Sequence, residues 1–109
     1  MERMCSIIKI KPEIITEYKR LHAAVWPEIL EAIAKSNVKS YSIFLREPEN
    51  LLISYWEYHG NHYAKDMDEI KKAPRMQEWW DLTDPMQVPL ASYNTDEWWA
   101  GTKEVFHAD

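Results

Sequence analysis

Tyr18, His22 and Trp26 follow one another at intervals of four residues. In a continuous helix that spacing stacks side chains along one face, so a phenol, an imidazole and an indole project together. Of the three, the imidazole moves protons near neutral pH, because its unperturbed pKa of about 6.5 keeps both forms populated in the cell. A second aromatic concentration, Trp79-Trp80, is followed closely by Asp81, Thr83 and Asp84. Aromatic residues at helical spacing ordinarily serve the core, and a part-buried histidine is ordinarily just hydrogen-bonded. Adjacent tryptophans shift that balance, since they occupy neighbouring helix faces and a single core rarely takes both. One of them is left to line a pocket.

A sugar matches such a set. The C–H face of a pyranose is apolar and lies on an indole, while its hydroxyl rim needs directed donors and acceptors, because unpaired polar groups are costly to bury. Other chemistries lack their residues. With two glycines in the chain there is no phosphate-cradling loop, and no serine nucleophile elbow occurs. His22, His59, His62 and His107 form no metal-ligand pattern; His59 and His62 flank a glycine-containing turn instead of sharing a helix face. Neither a metal nor a bound cofactor is expected.

The elements that position these residues are legible in the apolar pattern. Met4 to Lys11 alternates as a strand, with Ile7, Ile8 and Ile10 dense enough to be buried on at least one face. Pro12 ends it and suits the first position of a helix carrying Ile14, Ile15, Tyr18, Leu21, His22 and Val25. Pro27 interrupts that helix, and Ile29, Leu30 and Ile33 resume the period, which predicts two helical pieces joined near Trp26. Val38–Leu45 and Leu51–Tyr58 read as an antiparallel hairpin about the Arg46–Asn50 turn, with Tyr41, Ile43 and Leu45 on one face and Trp56 in the core. A further helix runs from Tyr63 toward Ala73, and Pro74 restarts a short one bearing Met76, Trp79 and Trp80. Thr83 to Asn94 reads as a loop, Asp84 as a turn or capping residue within it, and Lys103 to His107 as a closing strand.

Strand, helix, strand, strand, helix, strand is the split βαβ order, an α+β fold with helices on one face of the sheet. The open face calls for cover, most economically from a second copy, making a homodimer. Glu97-Trp98-Trp99-Ala100 is a candidate for part of that cover or for a dimer contact.

At 109 residues the chain fits one domain, residues 1–109. Its net charge of −5 has no basic block, so nucleic acid and anionic membrane are repelled. One cysteine, Cys5, cannot form an internal disulfide, and no apolar run is long enough to span a bilayer. These features point to a cytoplasmic protein.

Glu17-Tyr18-Lys19-Arg20-Leu21-His22, followed by Val25-Trp26-Pro27-Glu28, resembles the tyrosine, histidine and tryptophan-proline-glutamate pattern of the L-rhamnose mutarotase family. The resemblance extends through Tyr41-Ser42-Ile43-Phe44-Leu45, Asn50-Leu51-Leu52, Trp79-Trp80 with Thr83-Asp84, and Glu104-Val105-Phe106, covering nearly the whole chain. It implies a dimeric, ferredoxin-like α+β barrel that isomerises a monosaccharide without a cofactor. His22 matches the family's proton donor, and Tyr18, Tyr41, Trp79 and Trp80 match its sugar contacts. The general base is open among Asp84, Glu28 and a water. So is the sugar, with L-fucose or another 6-deoxy sugar as alternatives to L-rhamnose. Two other classes stay open on this architecture: a non-catalytic sugar-binding protein, and an oxidation catalyst in which His22 serves as iron ligand or base.

Overall fold

Strand β1 (Glu2–Ile10) buries Ile8 and Ile10 on one face with Lys9 exposed between them, while Arg3 to Ile7 are half-buried throughout. The computed structural model describes residues 1–92, 94 and 96–109. Pro12 opens a 3-10 turn (Pro12–Ile14), which passes into α1 (Ile15–Ala23) with Ile15, Tyr18 and Leu21 buried. α2 (Pro27–Lys35) follows after a break. Pro27 lacks an amide proton and pushes the residue before it into an extended conformation, and Trp26 accordingly has ψ 137°. α1 has already ended at Ala23, so Trp26 stands at the start of α2, at the junction of two helical pieces read from the sequence, and not on the helix of Tyr18 and His22. Asn37, at φ 64°, ends α2 in the left-handed region that asparagine tolerates.

The hairpin forms as expected from β2 (Val38–Arg46) and β3 (Leu51–Tyr58), joined by a turn with a cis Glu47–Pro48 bond. β3 pairs antiparallel with β1 from Glu2↔Tyr58 to Lys9↔Leu51. Between Lys39 and Ser42 the register of β2 shifts, so Ser40 and Tyr41 together stand against Trp56. Ser40 takes φ 53° at this bulge. The extra residue puts Tyr41, Ile43 and Leu45 on the inward face that Val38 also occupies, despite the odd spacing.

α3 (Tyr63–Lys71) and α4 (Met76–Thr83) come next, then a 3-10 turn (Asp84–Met86) and two short strands, β4 (Gln87–Val88) and β5 (Ala100–Gly101). Both short strands pair with β1, and the main path of the curled antiparallel sheet is β2-β3-β1-β4. That is the order a split βαβ chain requires, so the α+β class is as read from the sequence. Two placements differ. The segment expected as a loop from Thr83 contains the end of α4, the 3-10 turn and β4; Tyr93, within it, lies outside the described residues. Lys103–His107 is not a strand, and its residues are exposed. β4 and β5 take the positions along β1 that a closing strand would need, and strands of two residues leave no periodic signature.

The core lies between the helices and the inward sheet face. One cluster joins Ile8, Ile10 and Leu52 of the sheet to Ile15 and Tyr18 of α1, with Ile43, Leu45 and Trp99 packed against it. A second joins Leu21, Ile29, Ala32, Met76 and Trp79. Trp56 is half-buried, edge-on to Tyr41 with ring centroids 5.0 Å apart, rather than fully in the core. No helix among the described residues is long and apolar enough to cross a membrane.

Candidate functional site

Tyr18 and His22, one helical turn apart on α1, stack with ring centroids 4.2 Å apart and an interplanar angle of 24°. Trp79 of α4 meets His22 edge-on at 5.3 Å, and Trp26 meets Trp79 edge-on at 5.2 Å. The Arg75 guanidinium lies 3.9 Å over the Trp26 ring and closes the outer end of the series. Trp26 thus braces the site from the junction between α1 and α2.

His22 Nδ1 faces the Tyr18 backbone oxygen at 2.9 Å. A carbonyl only accepts, so Nδ1 carries a proton and Nε2 is the nitrogen left to exchange one. Burial depresses the His22 pKa, against a smaller rise from this hydrogen bond.

Two cavities share the wall formed by Tyr18, His22, Tyr41, Ile43 and Trp79. One, of about 410 Å³, continues along Ile10, Ile15, Leu45 and Leu52 and is apolar. The other, of about 370 Å³, continues along Trp80, Thr83, Asp84, Gln87, Trp98 and Trp99. Both volumes are of the size that takes small ligands. All five residues singled out as a site, His22, Tyr18, Tyr41, Trp79 and Trp80, line the second. Trp79 also belongs to the core, whereas Trp80 is half-buried.

Burial pushes the Tyr18 hydroxyl up to about 12, partly offset by a hydrogen bond from Gln87. Tyr41 keeps 38% of its surface exposed, yet burial of its hydroxyl end drives that pKa well above the phenol range. Both phenols are therefore neutral donors at physiological pH. Asp84 has its pKa raised, first by burial and then by the neighbouring Asp81 charge. Glu28 does not line either cavity; its buried Oε2 sits 3.8 Å from the Arg75 guanidinium and takes no hydrogen bond among the described residues.

Gln87 was not selected by sequence, and Trp98 and Trp99, read there as part of a cover or a dimer contact, line the cavity. Gln87 lay in a stretch read as loop, and the tryptophan pair had no periodic context to say which way it faced. Among the described residues no three His, Cys, Asp or Glu side chains gather closely enough to share a metal ion.

Residues 3–108 match the family model described as L-rhamnose mutarotase. An L-rhamnose mutarotase of Mesorhizobium japonicum is 36% identical over 91 residues, covering 80% of this chain and 81% of that protein. One from Listeria monocytogenes serotype 4b is 34% identical over 107 residues, 98% of each chain. The crystal structure of an L-rhamnose mutarotase from Formosa agariphila superposes over the full length of both chains with a TM-score of 0.75 at 23% identity, a likeness of fold. With the family model spanning nearly every residue and relatives above 30% identity over the whole chain, the protein belongs to the L-rhamnose mutarotase family and is an isomerase of L-rhamnose metabolism.

Proposed function

We propose that the chain interconverts the α and β anomers of L-rhamnose by opening and reclosing the sugar ring, with His22 as proton donor to the ring oxygen. The observation that carries this reading is the imidazole itself: Nδ1 is tied to the Tyr18 carbonyl, and the ring borders a cavity with indole and hydroxyl walls. In the opening step His22 Nε2–H gives its proton to the ring oxygen as the bond from that oxygen to the anomeric carbon breaks. The anomeric hydroxyl loses its proton, and the carbonyl of the open aldehyde forms. Rotation about the adjacent C–C bond and reversal of the transfers close the ring on the other face. No electrons leave the sugar.

Asp84 is the carboxylate proposed to take the anomeric proton, since it lines the polar cavity and Glu28 does not. Its raised pKa makes it a stronger base, and the depressed pKa of His22 makes its imidazolium a stronger acid. Trp79 and Trp80 offer ring faces to the sugar's C–H face, and the Tyr18 and Tyr41 hydroxyls donate to its oxygens. The apolar wall of Ile10, Ile15, Leu45 and Leu52 suits the methyl group of a 6-deoxy sugar, which L-fucose also carries.

A homodimer is part of the proposal. Phe44, Ile53 and Ile7 are in register across β2, β3 and β1 on the face away from the helices, with Phe44 60% exposed. Val105 and Phe106 beyond β5 are 91% and 81% exposed. A second copy would cover both surfaces. A single domain in a reducing cytoplasm accords with the lone Cys5 thiol.

Saturation-transfer NMR on the anomeric protons tests the function across L-rhamnose, L-fucose, L-mannose and D-glucose. Fastest catalysed exchange is expected for L-rhamnose. Binding of the sugar with an unchanged exchange rate would make the chain a sugar-binding module instead.

A further inference from the structure

A directed hydrogen-bond chain crosses the polar cavity from its rim to Tyr18. Trp98 Nε1–H donates to Gln87 Oε1 at 2.8 Å, and Gln87 Nε2–H donates to Tyr18 Oη at 3.4 Å, long for such a bond. Its direction is set at the Trp98 end. An indole N–H can only donate, so it claims the amide oxygen and leaves the amide nitrogen facing the tyrosine. Tyr18 Oη is thereby an acceptor from Gln87, and its own proton is left for another oxygen. Among the described residues none takes it.

The geometry also explains why Gln87 can hold this orientation. It is 6% exposed and stands on β4, where pairing with Ile10 of β1 fixes its backbone. A buried primary amide with no partners would be costly; here both of its ends are engaged.

We infer that Gln87 is a positioning residue that turns the Tyr18 hydroxyl toward the sugar as a hydrogen-bond donor, with Trp98 fixing the amide orientation that makes this possible. The inference rests on the mutarotase reading of the same cavity and deepens it. The cavity then presents a donor of fixed direction beside the His22 imidazole, and a sugar oxygen that accepts from it is held next to the proton-transfer group. It also makes the segment carrying Trp98 part of the binding site, although Trp98 itself is 40% exposed.

The test is a double-mutant cycle on L-rhamnose affinity, read by titration calorimetry, with anomer exchange followed in parallel. Gln87→Met keeps the shape of the side chain and removes both polar ends. It is expected to weaken affinity about tenfold, the scale of one lost hydrogen bond in a buried site, with KM rising more than kcat falls. Trp98→Phe lets the amide flip and should act in the same direction. In a Tyr18→Phe background both substitutions should change affinity less than about twofold, because their effect runs through the hydroxyl. Effects that stay undiminished without that hydroxyl, or wild-type affinity in Gln87→Met, overturn the proposal. If Gln87→Met fails to fold, Trp98→Phe carries the same cycle at a half-exposed position. The Cζ chemical shift of Tyr18, compared between the wild type and the Trp98 and Gln87 variants without sugar, separates this inference from the functional reading. An unmoved resonance overturns the chain of hydrogen bonds whether or not the wild type acts on L-rhamnose.

Discussion

Tyr18 holds His22 twice, through a ring stack at 4.2 Å and through its backbone oxygen, 2.9 Å from Nδ1. The stack fixes the imidazole plane and the carbonyl fixes its tautomer. One turn of helix thus supplies the orientation that proton-transfer histidines in other folds take from a separate carboxylate. The consequence is that substitutions at His22 and Tyr18 report on different things.

His22→Ala is expected to slow anomer exchange per folded molecule by about 10²-fold or more, the scale of a lost positioned acid. Sugar binding should persist, since the indole and hydroxyl walls remain. Loss of the stack and hydrogen bond should also lower stability by about 1–3 kcal/mol. Thermal melting and saturation-transfer NMR on the same preparation separate the two effects. Unchanged exchange in a folded His22→Ala protein removes His22 from the mechanism.

The pH profile carries a sign. With His22 as donor and Asp84 as base, the active form has a protonated imidazole and an ionised carboxylate. Burial lowers the His22 pKa from 6.5, and burial with the Asp81 charge raises that of Asp84 from 3.8. Exchange should fall as pH rises through the depressed histidine value and as pH drops through the raised aspartate value, giving an optimum between 3.8 and 6.5. Initial rates in matched buffers, corrected for the uncatalysed reaction, check this. A rate that instead climbs with pH above 6.5 assigns the neutral imidazole as base.

Trp79 and Trp80 should behave unequally. Trp79 is 6% exposed within the second core cluster and meets both His22 and Trp26 edge-on, so Trp79→Ala should cost about 3–5 kcal/mol as well as activity. Trp80 lines the polar cavity and is half-buried; Trp80→Ala should chiefly raise KM. Denaturant titration alongside exchange kinetics distinguishes them, and equal stability losses would count against the assignment.

A side chain at Gly60 should cost stability. A Cβ there would lie 2.6 Å from Asp66 Oδ2 and Tyr58 Cζ, within a strap where Tyr58 Oη donates to Asp66 at 2.5 Å and accepts from the His62 amide at 3.1 Å. Gly60→Ala is expected to lower stability by about 1–3 kcal/mol through overpacking. Activity per folded molecule should be retained, since neither Gly60, Tyr58 nor Asp66 borders the cavities. A melting temperature equal to wild type would show that the strap relaxes freely.

Light scattering at micromolar concentration should return a dimer mass. Phe44→Glu, placing charge on the apolar face away from the helices, should shift it to the monomer. A wild-type monomer would overturn the proposed assembly.

How much of this was legible beforehand follows from which interactions are local. The strand alternation of β1, β2 and β3, the proline-opened helices and the turn-spaced Tyr18 and His22 are properties of a few consecutive residues, so the sequence alone determined them. It also determined the order strand, helix, strand, strand, helix; the strand that completes the split βαβ set was read at Lys103–His107 and lies instead at Gln87–Val88. The tertiary structure decided what depends on partners far along the chain. Trp26 stands between α1 and α2 yet reaches the site through Trp79. Tyr41 was aimed inward by a bulge that exists only as a mismatch against β3. Lys103–His107 had the composition of a strand, but β1 was already paired with β4 and β5. Gln87 entered the site because pairing with Ile10 buried it opposite Tyr18, and no pattern of neighbours in a two-residue strand encodes a contact 69 positions away.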